Sequence, residues 1–150
     1  MTLLDAPQYN AAKGRKRRNI LIAVLVACVV IAGFSWYFWD WPQERLVNQF
    51  FAAIESNNLP KAFGIWNHDA DWQQHPQKYS AYPYGRFEVD WGHASDWGDI
   101  KTHKIVMAKT VGSGVVVGVQ VNGQKSPLTF LWVQRSNKTL GFSPVQLSTD

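Results

Sequence analysis

Three kinds of hydrophobic patterning follow one another along the chain. The first is an unbroken apolar run, Ile20–Trp39 (ILIAVLVACVVIAGFSWYFW), twenty residues without a charged side chain. As a helix rising 1.5 Å per residue it spans ~30 Å, the thickness of a hydrocarbon core. A buried helix of a small soluble domain would carry a polar stripe, and here only Gly33 and Ser35 interrupt the apolar character. The run therefore predicts a transmembrane helix. The second kind starts at Pro42, a residue suited to a first helical turn. Leu46, Val47, Phe50, Phe51 and Ile54 then recur at helical spacing and form one apolar stripe on a helix of about fourteen residues. SNNLP breaks that helix, and Pro60 opens a shorter one carrying Ala62, Phe63, Ile65 and Trp66. Between Asn67 and Tyr84 no period survives, and Phe87-Glu88-Val89 alternates briefly as a strand would.

The third kind is β. THKIVMAKT, VVVGVQV, LTFLWVQ and TLGFSP are separated by VGSG, NGQKS and RSNK, which are turn sequences. In the second run Val115, Val117, Val119 and Val121 share one face, while Val116, Gly118 and Gln120 share the other. Asn122-Gly123 is a short-turn signal because both residues tolerate positive φ. The pattern predicts an antiparallel meander covered on one face by the helices upstream. The expected fold class is α+β: an N-terminal transmembrane helix, then a small domain of two or three helices packed on a curved antiparallel sheet. Residues 1–19 read as a disordered basic arm, 20–39 as the membrane helix, 42–145 as the domain and 146–150 as a tail.

Charge adds an orientation. Residues 1–19 hold Lys13, Arg15, Lys16, Arg17 and Arg18 against Asp5 alone, whereas from Asp40 onward ten Lys/Arg balance ten Asp/Glu. The overall +4 thus belongs to the arm, and a domain of zero net charge argues against nucleic acid as a partner. A basic cluster on one flank of the apolar run, and Trp36, Tyr37, Trp39 and Trp41 on the other, place the N-terminus in the cytoplasm. The expected location is the inner (cytoplasmic) membrane, crossed once, with the lipid bilayer as a partner and the domain extracytoplasmic. No Ala-x-Ala site follows the run, so a cleaved signal peptide fits poorly. Leu25–Cys28 (LVAC) resembles a bacterial lipobox, but the sequence stays apolar for eleven residues beyond Cys28, where a lipoprotein would turn polar. That one cysteine also leaves no intrachain disulfide and no Cys-based zinc site.

VNQFFAAIESNNLPKAFGIW, followed about thirty-five residues later by consecutive β runs, resembles the nuclear-transport-factor-2-like superfamily. The segments YPYGRFEVDWG and KTLGFSP resemble uncharacterised single-span bacterial proteins of this kind. The resemblance implies a cystatin-like cone in which a bent sheet wraps a helix around an open mouth. It also implies dimerisation through a sheet face, for which Thr129, Leu131 and Val133 form a candidate patch.

Two polar concentrations bear on chemistry. His68, Asp69, Asp71 and His75 lie within WNHDADWQQHP. Histidines seven apart across Pro-closed, helix-poor sequence make a weak metal set of His68, Asp71 and His75; an aspartate capping a local turn explains the stretch better. The second, FEVDWGHASDWGD, uses Asp-Trp-Gly twice, as turn sequence does. A carboxylate here could instead act as a general base, and Asp90 is the preferred candidate, with His93 three residues on as its partner, although no acid–base pair is spaced to confirm it. No P-loop, dinucleotide fingerprint or nucleophile elbow occurs, and no cofactor is called for. Trp66, Tyr84, Trp91 and Trp132 are the residues best suited to line an apolar pocket, and such residues equally serve as plain core. The expectation is a membrane-anchored, non-catalytic binding or assembly module. It would serve an envelope protein, a second copy of itself or an apolar small molecule. The alternative is a small envelope enzyme of isomerase, dehydratase or hydrolase type acting on an apolar substrate in the cone.

Overall fold

A computed structural model describes residues 11–37 and 41–147. Helix α1, Ala11–Tyr37, is 27 residues long and belongs to a unit of its own, separate from Asp40–Asp150. None of its most apolar stretch, Gly14–Ser35, is buried, and Leu21, Leu25 and Phe34 are about two-thirds exposed. Apolar surface of that extent is costly in water and at home in hydrocarbon, where the helix satisfies its own backbone groups. One helix near the N-terminus is therefore long and apolar enough for a single-pass membrane protein. Disorder is the sequence expectation for residues 1–19, yet helix is present from Ala11. Ala, Lys and Arg are good helix formers and extend a helix that the apolar run has already nucleated. Residues 1–10 lie outside the description, as do Trp39 and the side chains of Lys13, Trp36, Tyr37 and Trp41. Arg15, Lys16, Arg17 and Arg18 are exposed.

The second unit is α+β, with an open four-stranded antiparallel sheet. Helix α2, Trp41–Glu55, places Pro42 and Glu44 in its first turn, where a missing N–H and a negative charge both suit the helix start. It ends at Asn57, whose φ of 56° lies in the left-handed region. The amides of Asn57 and Asn58 bond back to the carbonyls of Ile54 and Ala53, each at 2.8 Å, in the Schellman pattern. Asn58 then caps α3, Leu59–Trp66, by accepting the Lys61 amide at 3.1 Å. Two 3-10 turns, Trp72–Gln74 and Pro76–Tyr79, lead to α4, Tyr84–Trp91. The strand-like alternation at Phe87–Val89 is thus overturned. Phe87 and Trp91 are spaced one helical turn apart, and burying both side chains favours helix over two faces of a strand.

The strands follow the sequence reading closely: β1 His103–Val111, β2 Gly114–Val121, β3 Thr129–Gln134 and β4 Leu140–Phe142, in simple meander order. A bulge between Ile105 and Met107 shifts the β1 register, which kinks a strand and raises its twist. Asn122 and Gly123 both adopt positive φ, 49° and 74°, as the turn signal requires. Val115, Val117, Val119 and Val121 face the helices together with Leu131, Val133 and Leu140. Helix α2 supplies Val47, Phe50, Phe51 and Ile54 to the same core. Phe50 sits at its centre, its ring 5.0–6.1 Å from those of Phe51, Trp66, Phe87 and Trp91. The proposed dimer patch is corrected here: Leu131 and Val133 are buried at 0% and 1% exposure, and Thr129 at 8%. Their face of β3 is the core face.

Candidate functional site

Asp69 gathers four polar partners on its carboxylate. Helix α3 ends with a second Schellman pattern: the Asp69 amide bonds to the Gly64 carbonyl at 2.8 Å and the His68 amide to that of Ile65 at 3.1 Å. His68 is the left-handed residue of that pattern, at φ 52°. Asp69 Oδ1 accepts the Asp71 amide at 3.1 Å, which is the turn-capping role expected of an aspartate here. Oδ2 accepts from the Tyr79 hydroxyl and pairs with His75 Nε2 at 2.5 Å, with Lys78 Nζ at 3.5 Å. The phenol and imidazole bonds hold the Asp69 carboxyl well below its ordinary range. Burial, then the bond to Asp69, pushes the Tyr79 phenol up. A carboxylate so occupied is a poor proton acceptor for a substrate. It straps the segment 69–79 onto the end of α3. Trp72 pins the same segment, donating Nε1–H to the Pro60 carbonyl at 3.0 Å and stacking on Tyr84 at 4.9 Å.

The metal candidates do not converge. Among the described residues no group of three or more His, Cys, Asp or Glu could hold a metal ion. His68 serves a helix end through its backbone, Asp71 is exposed, and His75 is spent on Asp69. The catalytic candidates separate as well. Asp90, on α4, accepts from the Tyr82 hydroxyl at 2.9 Å and pairs with Arg86 at 3.3 Å. His93 instead pairs with Asp99, whose carboxyl that contact lowers. Burial first, and the Asp90 bond second, push the Tyr82 phenol upward, so the one tyrosine within reach of Asp90 is a weak proton donor.

Of the pocket-lining candidates, Trp66 and Trp91 are core, at 5% and 2% exposure. Tyr84 packs on the core from its edge. Trp132 lies on the far face of the sheet, its ring over Gly114 and its Nε1–H on Gln134 Oε1 at 3.1 Å. These four do not line a common cavity. One hollow of about 170 Å³ borders Trp91, His93 and Asp99, another of about 450 Å³ borders Arg86 and Asp90, and further concavity lies along α2. Three open hollows, of about 660, 240 and 400 Å³, all border Gln49. Leu46 and Ile65 each line two of them, with Lys61 and His68 at their rims. The first and third share Gln49, Lys61 and Ile65 and make a groove along α2 and α3, whereas the second lies between α2 and the end of β3, bordered by Val133, Gln134 and Lys138. Neither Gln49 nor Lys61 stands out in the sequence; the apolar stripe of α2 predicts its buried face and says nothing of the groove beside it.

No family model, curated protein or solved structure matches the chain.

Proposed function

We propose that this chain is a single-pass membrane-anchored assembly module. Its N-terminus lies in the cytoplasm, and its extracytoplasmic domain docks a segment of another envelope protein in the α2–α3 groove. The observation that carries the reading is a contrast within one domain. The aromatic interior is filled around Phe50, while an exposed groove with an apolar floor runs beside Gln49. Apolar anchors in a groove with polar rims are how extended or helical segments are held. The anchoring rests on α1, and the orientation on Arg15, Lys16, Arg17 and Arg18 preceding the apolar run. A nuclear-transport-factor-2-like ancestry fits the order of elements, helices first and a bulged antiparallel meander after, and is part of the same proposal.

The test is a photo-crosslinking amino acid at Gln49 in cells, with one at Glu88 on α4 as control. A discrete adduct at position 49, absent at 88 and lost in an Ile65→Glu variant that still folds, is the expected result. Identical adduct patterns at both positions would remove the groove from the account.

A further inference from the structure

The zero net charge of the domain conceals a division. Residues 40–102, which build the helical layer and its connections, hold nine Asp/Glu against five Lys/Arg. Residues 103–149, which build the sheet, hold five Lys/Arg and no acid. The balanced globule is therefore polar: an acidic helical side and a basic sheet.

The face of the sheet turned away from the core shows what the basic side presents. Strand register sets Lys109, Val116 and Trp132 side by side in one cross-strand row, Met107, Gly118 and Phe130 in the next, and Lys104 opposite Gln120 in a third. Val116 is fully buried yet stands outside the core cluster to which α2, α3 and α4 contribute. Glycines permit the cover: a Cβ at Gly118 would strike Met107 Cγ at 2.7 Å, and one at Gly114 would strike the Trp132 ring at 2.4 Å. The aromatic rings and the thioether therefore lie across the sheet as a thin apolar sheath, with exposed Lys104 and Lys109 along its β1 margin.

We infer that this outer sheet face rests on an anionic phospholipid surface, with Trp132, Phe130 and Met107 at headgroup level and Lys104 and Lys109 on the lipid phosphates. Two observations choose the occupant. Two copies meeting through this face would set lysine against lysine with no acid to pair, so self-association is disfavoured. The connection from Tyr37 to Trp41 is three residues long and reaches at most ~14 Å, so the bilayer is the surface this domain meets at highest effective concentration. The second point rests on the anchoring proposed above; the first does not. Lysines are drawn to anionic headgroups by an attraction that salt screens, and Trp is enriched at membrane interfaces. The α2–α3 groove then points away from the lipid, open to its partner.

The experiment uses the full chain with Cys28→Ser and one nitroxide-labelled cysteine, Gln120→Cys on the outer face or Glu88→Cys on α4. The protein is reconstituted in vesicles of phosphatidylcholine alone or mixed with phosphatidylglycerol. Collision with a neutral nickel chelate reports exposure to water. The expected result is a severalfold loss of nickel accessibility at position 120 in the anionic vesicles at low salt. That protection is absent in pure phosphatidylcholine, in high salt and in the K104E/K109E variant, and position 88 stays exposed throughout. Equal accessibility at position 120 in both lipids overturns the inference. So does protection that needs an added oligonucleotide or acidic peptide, or that follows protein density regardless of lipid. Alkaline washing separates the two readings. A chain that stays in the vesicles with position 120 exposed keeps the anchor and loses the face. A chain that washes off yet is protected by anionic lipid beforehand keeps the face and loses the anchor.

Discussion

At Asp69 a single carboxylate accepts from a phenol and a backbone amide and pairs with an imidazole, ten residues of loop being organised around it. Replacing it with Asn keeps the shape and removes the charge these donors share. The expected outcome for Asp69→Asn is an intact fold with faster amide exchange across residues 69–79 and a lower Tm. The pH dependence follows from the direction of the shift. The folded-state carboxyl lies below the ordinary 3.8, so its contribution is complete above that value and is lost as pH falls toward the folded one. Unfolding curves of the parent should therefore lose stability below about pH 4 by a component that is missing in Asp69→Asn. Parallel acid profiles for the two proteins would show that the strap contributes nothing. At this scale the sequence was half legible. An aspartate two residues before a backbone donor is a local signal, and Asp69 caps as such residues do. Tyr79 and Lys78, ten and nine positions on, carry no mark of their pairing, since two intervening 3-10 turns have no period to read. Asp90 and His93 show the converse: nearness in sequence put them together, while α4 and its following turn send each to a different partner.

Among elements, the join between helix and sheet is where α2 meets β1. His103, at the start of β1, bonds through Nδ1 to Glu55 Oε1 at 2.6 Å and through Nε2 to Asn48 Oδ1 at 2.9 Å. Its ring stacks on Phe51 at 5.0 Å. One side chain thus ties the last turn of α2 to the strand and covers a core aromatic. His103→Ala is expected to cost about 1–3 kcal/mol, the range for removing one partner from a partly buried charged hydrogen bond. The measurement is the urea midpoint of the detergent-solubilised chain, with Lys104→Ala next to it near zero as the control. A His103→Ala midpoint equal to that of Lys104→Ala would make the link ornamental. The elements themselves were well marked in the strands, where period-two alternation and Asn122-Gly123 act over a few residues. Helix α4 was not, because a three-residue alternation at Phe87–Val89 outweighed the wider spacing of Tyr84, Phe87 and Trp91. Eight residues give a helical period barely two turns in which to show itself.

For the whole molecule, the decisive quantity is how charge is distributed between layers rather than its sum. The segregation was present in the sequence, nine acids in residues 40–102 and none from 103 to 149. It acquires meaning only once the strands are known to form one layer with a face turned away from the core. On the proposals made above, a polar globule on a short connection would behave as the second arm of a bivalent binder: the apolar helix would hold it at the lipid, and weak contacts of the sheet face would then count as if concentrated. That coupling makes a quantitative demand. Inserting flexible Gly/Ser sequence between Tyr37 and Trp41 leaves every contact intact and dilutes the domain around its anchor. The density of the domain at the surface falls as the tether lengthens, so an insert of about forty residues should weaken docking measurably more than one of about ten. The readout is the salt concentration at which label protection at position 120 is half lost in anionic vesicles. It should fall stepwise as the insert lengthens, because fewer screened contacts then suffice to release the face. A midpoint indifferent to insert length would mean that the face finds its ligand without the tether, and a soluble polyanion would take the place of the membrane.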